Sequence, residues 1–133
     1  MDVAGVVFVV DAGNHRIRRI TNGVVDTLAG SGEKGFSDGV GAAAQFKWPA
    51  GIALDHATGH LLVTDSSNKR IRAVDPRSGA VSTLAGSGAE GAHDGDAAVA
   101  RFSCPSGIAV DAQGGILVAD IYNNRVRRIA RCD

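Results

Sequence analysis

The chain has few of the residue types on which metal, redox and stacking sites depend. Its 133 residues include two cysteines, four histidines, one tryptophan and one tyrosine. Cys104 and Cys132 lack the close spacing of paired metal-binding thiols, so they are interpreted as two isolated thiols. Lysine plus arginine and aspartate plus glutamate both number 14, so the formal net charge is zero. A neutral chain is not expected to bind polyanions through its overall electric field, which leaves only local patches for that role.

Long apolar runs are also absent. No segment approaches the roughly 20 consecutive apolar residues that a membrane-spanning helix needs. Residues 1–5 lack the basic start and the apolar core of a signal peptide. The sequence therefore predicts a soluble chain and indicates no compartment.

Helical periodicity is missing as well. The chain instead contains one sequence unit that is repeated more than twice. Asp11, Asp65 and Asp120 follow one another at 54 and 55 residues, while Pro49 and Pro105 are 56 residues apart. A period of this size is typical of arrays in which each supersecondary unit buries its apolar faces against its neighbours. The repeat therefore predicts an architecture, but it names no ligand and no reaction.

Each unit predicts four short β-strands. In the middle copy, apolar or alternating segments at 51–55, 61–65, 70–74 and 80–84 are separated by turn-forming residues. Four short antiparallel strands at this period predict one blade of a β-propeller, in which sheets pack face to face around a channel. The predicted fold class is all-β, an incomplete propeller of four-stranded antiparallel blades.

The whole chain, 1–133, is predicted to be one partial propeller of about two and a half blades. Counting gives ten strands against the four to eight blades of a closed ring, with residues 2–5 interpreted as the turn after an absent first strand. We therefore expect a fragment of a longer protein, with open faces and edges. The predicted segments are blade 1 at 1–32, a linker loop at 33–48, blade 2 at 49–88, a second linker loop at 89–104 and blade 3 at 105–133.

The two linkers are unusually long for connections within a domain. Loops of more than about 12 to 15 residues are usually functional or disordered. Phe36, Phe46 and Phe102 give these linkers apolar anchors. We therefore expect ordered loops that fold over one face of the propeller.

The repeated residues resemble the NHL repeat family, whose signature is Asn-His-Leu. Residues 14–17 read Asn-His-Arg-Ile, with related segments at 68–71 and 123–126. A wider pattern, Pro-x-Gly-Ile-Ala, then a strand ending in Asp, then Asn-x-Arg, extends over essentially the whole chain. Thr-Leu-Ala-Gly-Ser-Gly at 27–32 and 83–88 is similar to the long-linker variety. The resemblance implies a six-bladed propeller, of which this chain would be under half.

Arginines on the third strand of every predicted blade are the first candidates for a site. Stacked blades would align them into a basic stripe able to contact phosphates. Some NHL propellers bind RNA, which is what the resemblance implies here, and a tyrosine beside the stripe could stack a base. The candidate residues for contact with a partner or with RNA are Arg18, Arg19, Arg72, Arg127, Arg128 and Tyr122.

The arginines two residues earlier are predicted to hold the scaffold. Asp and Arg recur five residues apart across the same turn, where the two side chains would close a hairpin as a hydrogen-bonded ion pair. A pair that is repeated in every copy favours a structural role. The predicted pairs are Asp11 with Arg16, Asp65 with Arg70 and Asp120 with Arg125.

No pattern in the chain predicts a metal, a cofactor or a catalytic residue. Symmetric metal ligation would need equivalent residues from several blades, whereas the four histidines occupy four different repeat positions. Asp38, Asp94 and Asp96 lie near glycines and are interpreted as turn residues instead of calcium ligands. The histidines are His15, His56, His60 and His93.

The predicted function is that of a non-enzymatic interaction scaffold that binds a protein partner through its loop face. The alternative is RNA binding through the third-strand arginines. A third reading is a metal-dependent enzyme similar to the lyases and lactonases built on propellers. The other expected partners are the remaining blades of the same propeller or a second copy joined at the open edges, and no membrane partner is expected.

Overall fold

The computed structural model describes residues 2–3, 5–88 and 101–129, and it gives the side chains of all of these except residues 2, 3 and 122. The strands are β1 (Asp2–Val3), β2 (Val6–Asp11), β3 (Arg16–Thr21), β4 (Val24–Ala29), β5 (Gly39–Val40), β6 (Pro49–Leu54), β7 (Leu61–Asp65), β8 (Arg70–Val74), β9 (Ala80–Ala85), β10 (Pro105–Val110), β11 (Ile116–Asp120) and β12 (Arg125–Ile129). The helices in this part of the chain are short 3-10 turns at Ala12–Asn14, Gly41–Ala43, Ser66–Asn68 and Ile121–Asn123. None of them is long and apolar enough to span a membrane.

The strands form three antiparallel sheets. Sheet 1 has the order β1-β2-β3-β4, sheet 2 the order β5-β9-β8-β7-β6, and sheet 3 the order β10-β11-β12. Successive sheets pack against each other: β10 of sheet 3 lies against β6 and β7 of sheet 2, and β6 also lies near β2 of sheet 1. This architecture confirms the predicted incomplete all-β propeller.

The hydrophobic core lies between sheets, because each sheet alone has no second layer. Phe8 and Ile17 of sheet 1 pack against Leu61 and Val63 of sheet 2. All five residues of β7 are buried, which explains why its sequence is apolar instead of alternating. Burying one such aliphatic side chain contributes about 1.5–3 kcal/mol. The cluster between sheets 2 and 3 includes Leu62, Ile71, Ile116 and Val118.

Two short strands correct the predicted inventory of ten strands. Asp2–Val3 pairs with β2 and is therefore a strand, not the predicted turn after an absent first strand. Gly39–Val40 pairs with Ala80 and Val81 of β9, so the predicted loop at 33–48 adds a fifth strand to sheet 2. Both strands have only two residues, too few to show the alternation by which strands are recognised in a sequence.

The first linker is anchored between sheets 1 and 2. Ala44 and Phe46 are both 0% exposed within the core cluster of these sheets, so the linker enters the interface instead of only covering a face. Of the other predicted anchors, Phe102 is 1% exposed, whereas Phe36 is 40% exposed. Most of the second predicted linker loop, residues 89–100, lies outside the described residues.

Candidate functional site

The same turn closes the central hairpin of all three sheets. Strands β2, β7 and β11 each end in an aspartate, which is followed by a 3-10 turn. The residue after the turn is His15, Lys69 or Asn124, with positive φ angles of 55°, 56° and 54°. In each turn an asparagine amide donates a hydrogen bond back to the aspartate three residues earlier, at 2.9, 2.7 and 2.7 Å. The local sequence therefore places one carboxylate at the same point of every sheet.

Asp65, the middle copy of this aspartate, is buried and is the acceptor in a hydrogen-bond cluster. Its Oδ1 accepts the backbone N–H of Lys47 at 2.8 Å, and its Oδ2 accepts Asn68 Nδ2 at 2.7 Å and Arg72 Nη1 at 2.7 Å. Burial raises the pKa of the Asp65 carboxyl above its ordinary value, and the hydrogen bonds from Asn68, Lys47 and Arg72 act in the opposite direction. We call this aspartate and its donors the hub of a sheet.

Arg72 joins the hub of sheet 2 to the linker that precedes the sheet. Its side chain is 0% exposed, and its guanidinium donates to the backbone carbonyls of Gln45 at 3.0 Å and Ser37 at 2.8 Å. The same group forms an ion pair with Asp38 at 2.8 Å, and its central carbon lies 5.1 Å from the centre of the Phe46 ring. A planar fork with several donors suits this geometry, which a lysine could not reproduce.

The predicted ion pairs five residues apart are wrong in their arginine partner. Asp11, Asp65 and Asp120 do face Arg16, Arg70 and Arg125 as register partners across the hairpin. The carboxylates nevertheless bind the arginine two residues further along, because a long side chain on the same face reaches the diagonal position. The observed ion pairs are Asp11 with Arg18 at 3.0 Å, Asp65 with Arg72 at 2.7 Å and Asp120 with Arg127 at 3.3 Å.

The arginines that face the aspartates have a different role in sheets 1 and 2. Arg16 and Arg70 donate to the carbonyls of Ser31 and Ser87, at 3.2 and 3.1 Å, in the two Gly-Ser-Gly segments. Gly86 has a φ of 100°, and a Cβ there would lie 2.6 Å from the carbonyl oxygen of Lys69, so only glycine fits. The Gly-Ser-Gly signature therefore encloses an arginine and is explained by the fold. Arg125 is exposed in sheet 3.

The arginines that were predicted to contact a partner or RNA are largely engaged within the protein. Arg72 and Arg127 have 0% and 8% of their side chains exposed, so they do not face solvent as such a contact requires. Arg19 forms a two-point pair with Asp26 at 3.1 and 2.6 Å, and this hydrogen bonding holds the pKa of Asp26 below its ordinary value. Arg18 is paired with Asp11, and Arg128 donates to Asp111 at 3.0 Å. The side chain of Tyr122 lies outside the described residues.

The described residues contain no group of three or more His, Cys, Asp or Glu side chains that could hold a metal ion. Asp38 instead accepts hydrogen bonds from Arg72 at 2.8 Å and from the Thr83 hydroxyl at 3.1 Å. Asp94, Asp96 and His93 lie outside the described residues.

Sequence reasoning missed a contact between two residues that are not repeated. The Nδ1 atom of His15 accepts the backbone N–H of Trp48 at 3.0 Å, and the two rings meet edge to face with centres 4.8 Å apart. Trp48 has a φ of 52° and is 47% exposed. A non-glycine residue with positive φ is uncommon, so the hydrogen bond from Trp48 to His15 holds an unusual backbone conformation, and the ring contact orients the indole. The one sign of this contact in the sequence was that Trp48 is not repeated, since Cys104 stands at the matching position of the next copy.

Links of this kind connect the three hairpin turns into one surface. Lys69, at the position of His15, reaches the carbonyl of Ser103 through its Nζ at 3.1 Å. The turn at 66–68 also binds the carbonyl of Lys47, and the turn at 121–123 binds that of Cys104. We call the three turns with Trp48 the turn-end surface. Its residues differ between copies, whereas the hubs beneath it are repeated.

Comparison with known proteins agrees with the repeat architecture. The NHL repeat model matches residues 46–73 and 102–129. The chain is 32% identical over 132 residues to human NHL repeat-containing protein 2, covering 90% of this chain and 18% of that protein. It is 39% identical over 95 residues to protein SUPPRESSOR OF QUENCHING 1, chloroplastic, of Arabidopsis thaliana, covering 71% of this chain and 9% of that protein. The chain thus spans less than a fifth of the length of these curated relatives.

A solved structure has the same fold. An auxiliary nutrient binding protein from Bacteroides thetaiotaomicron superposes with a TM-score of 0.84 at 28% sequence identity, covering 95% of this chain and 35% of that protein. The repeated hubs, the three stacked sheets and these matches together assign the chain to the NHL repeat family, as a partial propeller of that family.

Proposed function

We propose that the chain is a non-enzymatic interaction scaffold and that its turn-end surface binds a protein partner. The observation that carries this proposal is the exposed but fixed Trp48. Its ring is 47% exposed while its backbone N–H is bound by His15. Tryptophan is enriched among residues that dominate binding energy, and a preordered one loses little entropy on association.

Repeated and variable residues have different roles, and this difference supports the same proposal. The repeated charges at Asp65, Arg70 and Arg72 are used within the protein, in the hub and in the Gly-Ser-Gly contact. The variable residues are at the turns, where His15, Lys69 and Asn124 share one backbone position. A surface whose side chains change from copy to copy on a constant frame is suited to recognising one asymmetric protein surface.

RNA binding through the third-strand arginines has less support. Arg72 would have to leave two carboxylates and two carbonyls to contact a phosphate, and Arg127 is bound to Asp120 and to the carbonyl of Arg101. Breaking a buried charge cluster costs several kcal/mol. RNA binding predicts an affinity that falls steeply with salt, which a titration at two ionic strengths would detect.

The test of the protein-binding proposal is a single substitution at Trp48. Trp48→Asn removes the aromatic surface, and asparagine tolerates the positive φ of this position better than most residues do. We expect the variant to lose the set of proteins that the unaltered chain captures from a cell extract, as measured by quantitative mass spectrometry. Val24→Asn is the matched control, because Val24 is 67% exposed and follows the β3–β4 turn at the other end of sheet 1. Equal loss in both variants, or no loss at Trp48→Asn, would reject the turn-end surface.

A further inference from the structure

A cleft of about 370 Å³ lies between sheets 1 and 2, at the end of the strands opposite to the turn-end surface. One wall is the face of sheet 1 that carries Val6 and Phe8 of β2 and Val24 of β4. The other wall is the β8–β9 turn of sheet 2, through Pro76 and Arg77. Small-molecule sites in proteins have volumes of roughly 300–1,000 Å³, so the size of this cleft suits a small ligand.

The positive charges that line the cleft exceed the negative ones. Arg19 binds both oxygens of Asp26 through Nε and Nη2, at 3.1 and 2.6 Å, which leaves its Nη1 for another acceptor. Arg77 is exposed, and no carboxylate among the described residues pairs with its guanidinium. The neighbouring Asp75 carboxylate instead accepts the backbone N–H of Arg77, at 2.8 Å. Arg77 is therefore a cation at the cleft whose charge the lining does not balance.

The charged pair in the cleft is not a repeated part of the fold. Arg19 and Asp26 face each other as register partners in sheet 1, and the matching register partners in sheet 2 are Ala73 and Ser82. Sheet 2 nevertheless packs on sheet 3 through an apolar cluster that includes Ala73. Packing of one sheet on the next therefore does not require these charges, which leaves them available for a role other than the fold.

A ligand complementary to the cleft combines an apolar group with one negative charge. The apolar group would contact Val6, Phe8 and Pro76, and Phe8 is already held in place by the core between the two sheets. The charged group would accept hydrogen bonds from Arg77 and from Nη1 of Arg19. A guanidinium is a planar fork that matches the two oxygens of a carboxylate, and such charge-assisted hydrogen bonds are stronger than neutral ones.

We propose that this cleft binds a small organic carboxylate whose remaining part is compact and apolar, such as an arylacetate or a branched short-chain acid. The apolar part lies between the two walls, and the carboxylate lies at Arg77 with Arg19 as the second donor. Both walls belong to sheets that pack on each other within the described chain. The site is at the other end of the strands from Trp48, so this inference goes beyond the proposed protein binding and does not rest on it.

The first measurement is a titration of the isotopically labelled whole chain with phenylacetate and, separately, with isovalerate. Two-dimensional NMR should show saturable shifts of the amide signals of Phe8, Val24 and Arg77, with dissociation constants of roughly millimolar for ligands of so few atoms. Phenylacetamide, which has the same ring and no charge, should bind at least about tenfold more weakly. The proposal is overturned when neither acid gives saturable shifts at these residues up to its solubility limit.

A substitution at Arg77 tests which cation holds the carboxylate. Arg77→Gln should weaken phenylacetate binding about tenfold, because it removes a charge-assisted hydrogen bond. Arg125→Gln is the matched control, since Arg125 is an exposed arginine of sheet 3 outside the cleft, and it should leave the affinity unchanged. Equal weakening by the two variants would mean that only the overall charge matters, and either that result or unchanged affinity in Arg77→Gln would overturn the proposal.

A negative charge placed inside the cleft is the complementary test. Val24→Asp should weaken phenylacetate binding by at least about tenfold, because like charges repel. Val40→Asp is its control, since Val40 of β5 is 59% exposed and does not line the cleft. Val24 is itself 67% exposed, so its substitution removes no core contact, and far-ultraviolet circular dichroism checks that each variant retains its β-structure. Equal affinities in the two aspartate variants would contradict the site.

A short peptide ending in phenylalanine separates a small free acid from the end of a protein chain. The peptide carries the same ring and a carboxylate on a longer backbone, for which a cleft of about 370 Å³ leaves little space. It should therefore bind more weakly than phenylacetate. Tighter binding of the peptide would show that the cleft recognises a chain terminus, and would overturn the assignment to a small molecule.

Discussion

The hubs of sheets 1 and 2 contain the same three side chains in very different surroundings. In sheet 2, the side chains of Asp65 and Arg72 are both 0% exposed, and backbone groups of the preceding linker form hydrogen bonds with both of them. In sheet 1, the side chains of Asp11 and Arg18 are 30% and 28% exposed, and no linker among the described residues covers them. One sequence motif thus forms a buried charge cluster in one place and a surface ion pair in another.

Because of this difference, the pKa values of the two aspartates shift in opposite directions. The hydrogen bond from Asn14, with help from Arg18, lowers the pKa of Asp11, whereas burial raises the pKa of Asp65. The motif alone therefore does not determine what the carboxylate contributes to stability. The two hubs differ in burial, to which the linker over the hub of sheet 2 contributes.

The largest expected effect is a difference in stability between variants of the two hub arginines, Arg72 and Arg18. Arg72→Met leaves Asp65 buried without its cationic partner, which costs on the order of 3–5 kcal/mol of unfolding free energy. Arg18→Met removes a partly exposed ion pair and should cost about 0–1 kcal/mol. Urea unfolding of both variants measures the difference, and equal losses would show that the linker does not change the energetics of the hub.

Arg72→Lys is the control for charge in this comparison. It keeps a cation but loses the fork that reaches Gln45, Ser37 and Asp38 together. Its stability should therefore lie between that of the unaltered chain and that of Arg72→Met. A lysine variant as stable as the unaltered chain would mean that the bonds to the linker contribute nothing.

A smaller effect tests a feature that the two sheets share. Gly30 and Gly86 have φ angles of 105° and 100°, and a Cβ at either would lie 2.6 Å from a backbone carbonyl oxygen. Gly30→Ala and Gly86→Ala should each cost about 2–3 kcal/mol, through positive-φ strain and overlap. Gly59→Ala is the matched control, because Gly59 has a φ of 77° with nothing within 4 Å of a Cβ, and it should cost about 1 kcal/mol. Thermal unfolding tests this order, and a loss at one glycine only would show that the two Gly-Ser-Gly contacts differ.

The smallest effect is a pH dependence of opposite sign in the two hubs. For Asp11, the lowered pKa means that its contribution to stability is present above an ordinary value of 3.8 and is lost as the pH falls through the folded-state pKa. For Asp65, the raised pKa means that its contribution is present below 3.8 and is lost as the pH rises through the folded-state pKa. Asp11→Asn should flatten the acid limb of the stability curve, and Asp65→Asn the limb above 3.8. Urea unfolding across this range is the measurement, and both variants acting on the same limb would contradict the assignment.

The sequence predicted the architecture because the information for it is repeated. Apolar strands and turn residues recur at 51–55 and 107–111, and each copy supports the interpretation of the other. Strands β1 and β5 were not predicted, since two residues show no alternation. They are defined by their pairing with β2 and β9, which depends on the folded chain.

The hubs were predicted in part. The repeated aspartates indicated a structural role, but the distance in sequence to Arg70 and to Arg72 does not reveal which one Asp65 binds. That choice depends on the geometry of the folded hairpin, since Asp11 also binds Arg18 in sheet 1, where no linker among the described residues covers the hub. The linker carbonyls of Ser37 and Gln45 then add bonds to Arg72 that the sequence does not reveal. The contact of His15 with Trp48 was not predictable either, because it joins two unrepeated residues across 33 positions.

The linker that covers the hub of sheet 2 begins on sheet 1, where the backbone of Gly30 and Ser31 binds that of Gly41 and Ala44. The segment is therefore held by hydrogen bonds to both sheets. An additional copy inserted into the array would bring a linker for the sheet after it and an aspartate for the linker before it. Such a copy would join the array through the kind of linker contact that sheets 1 and 2 already share.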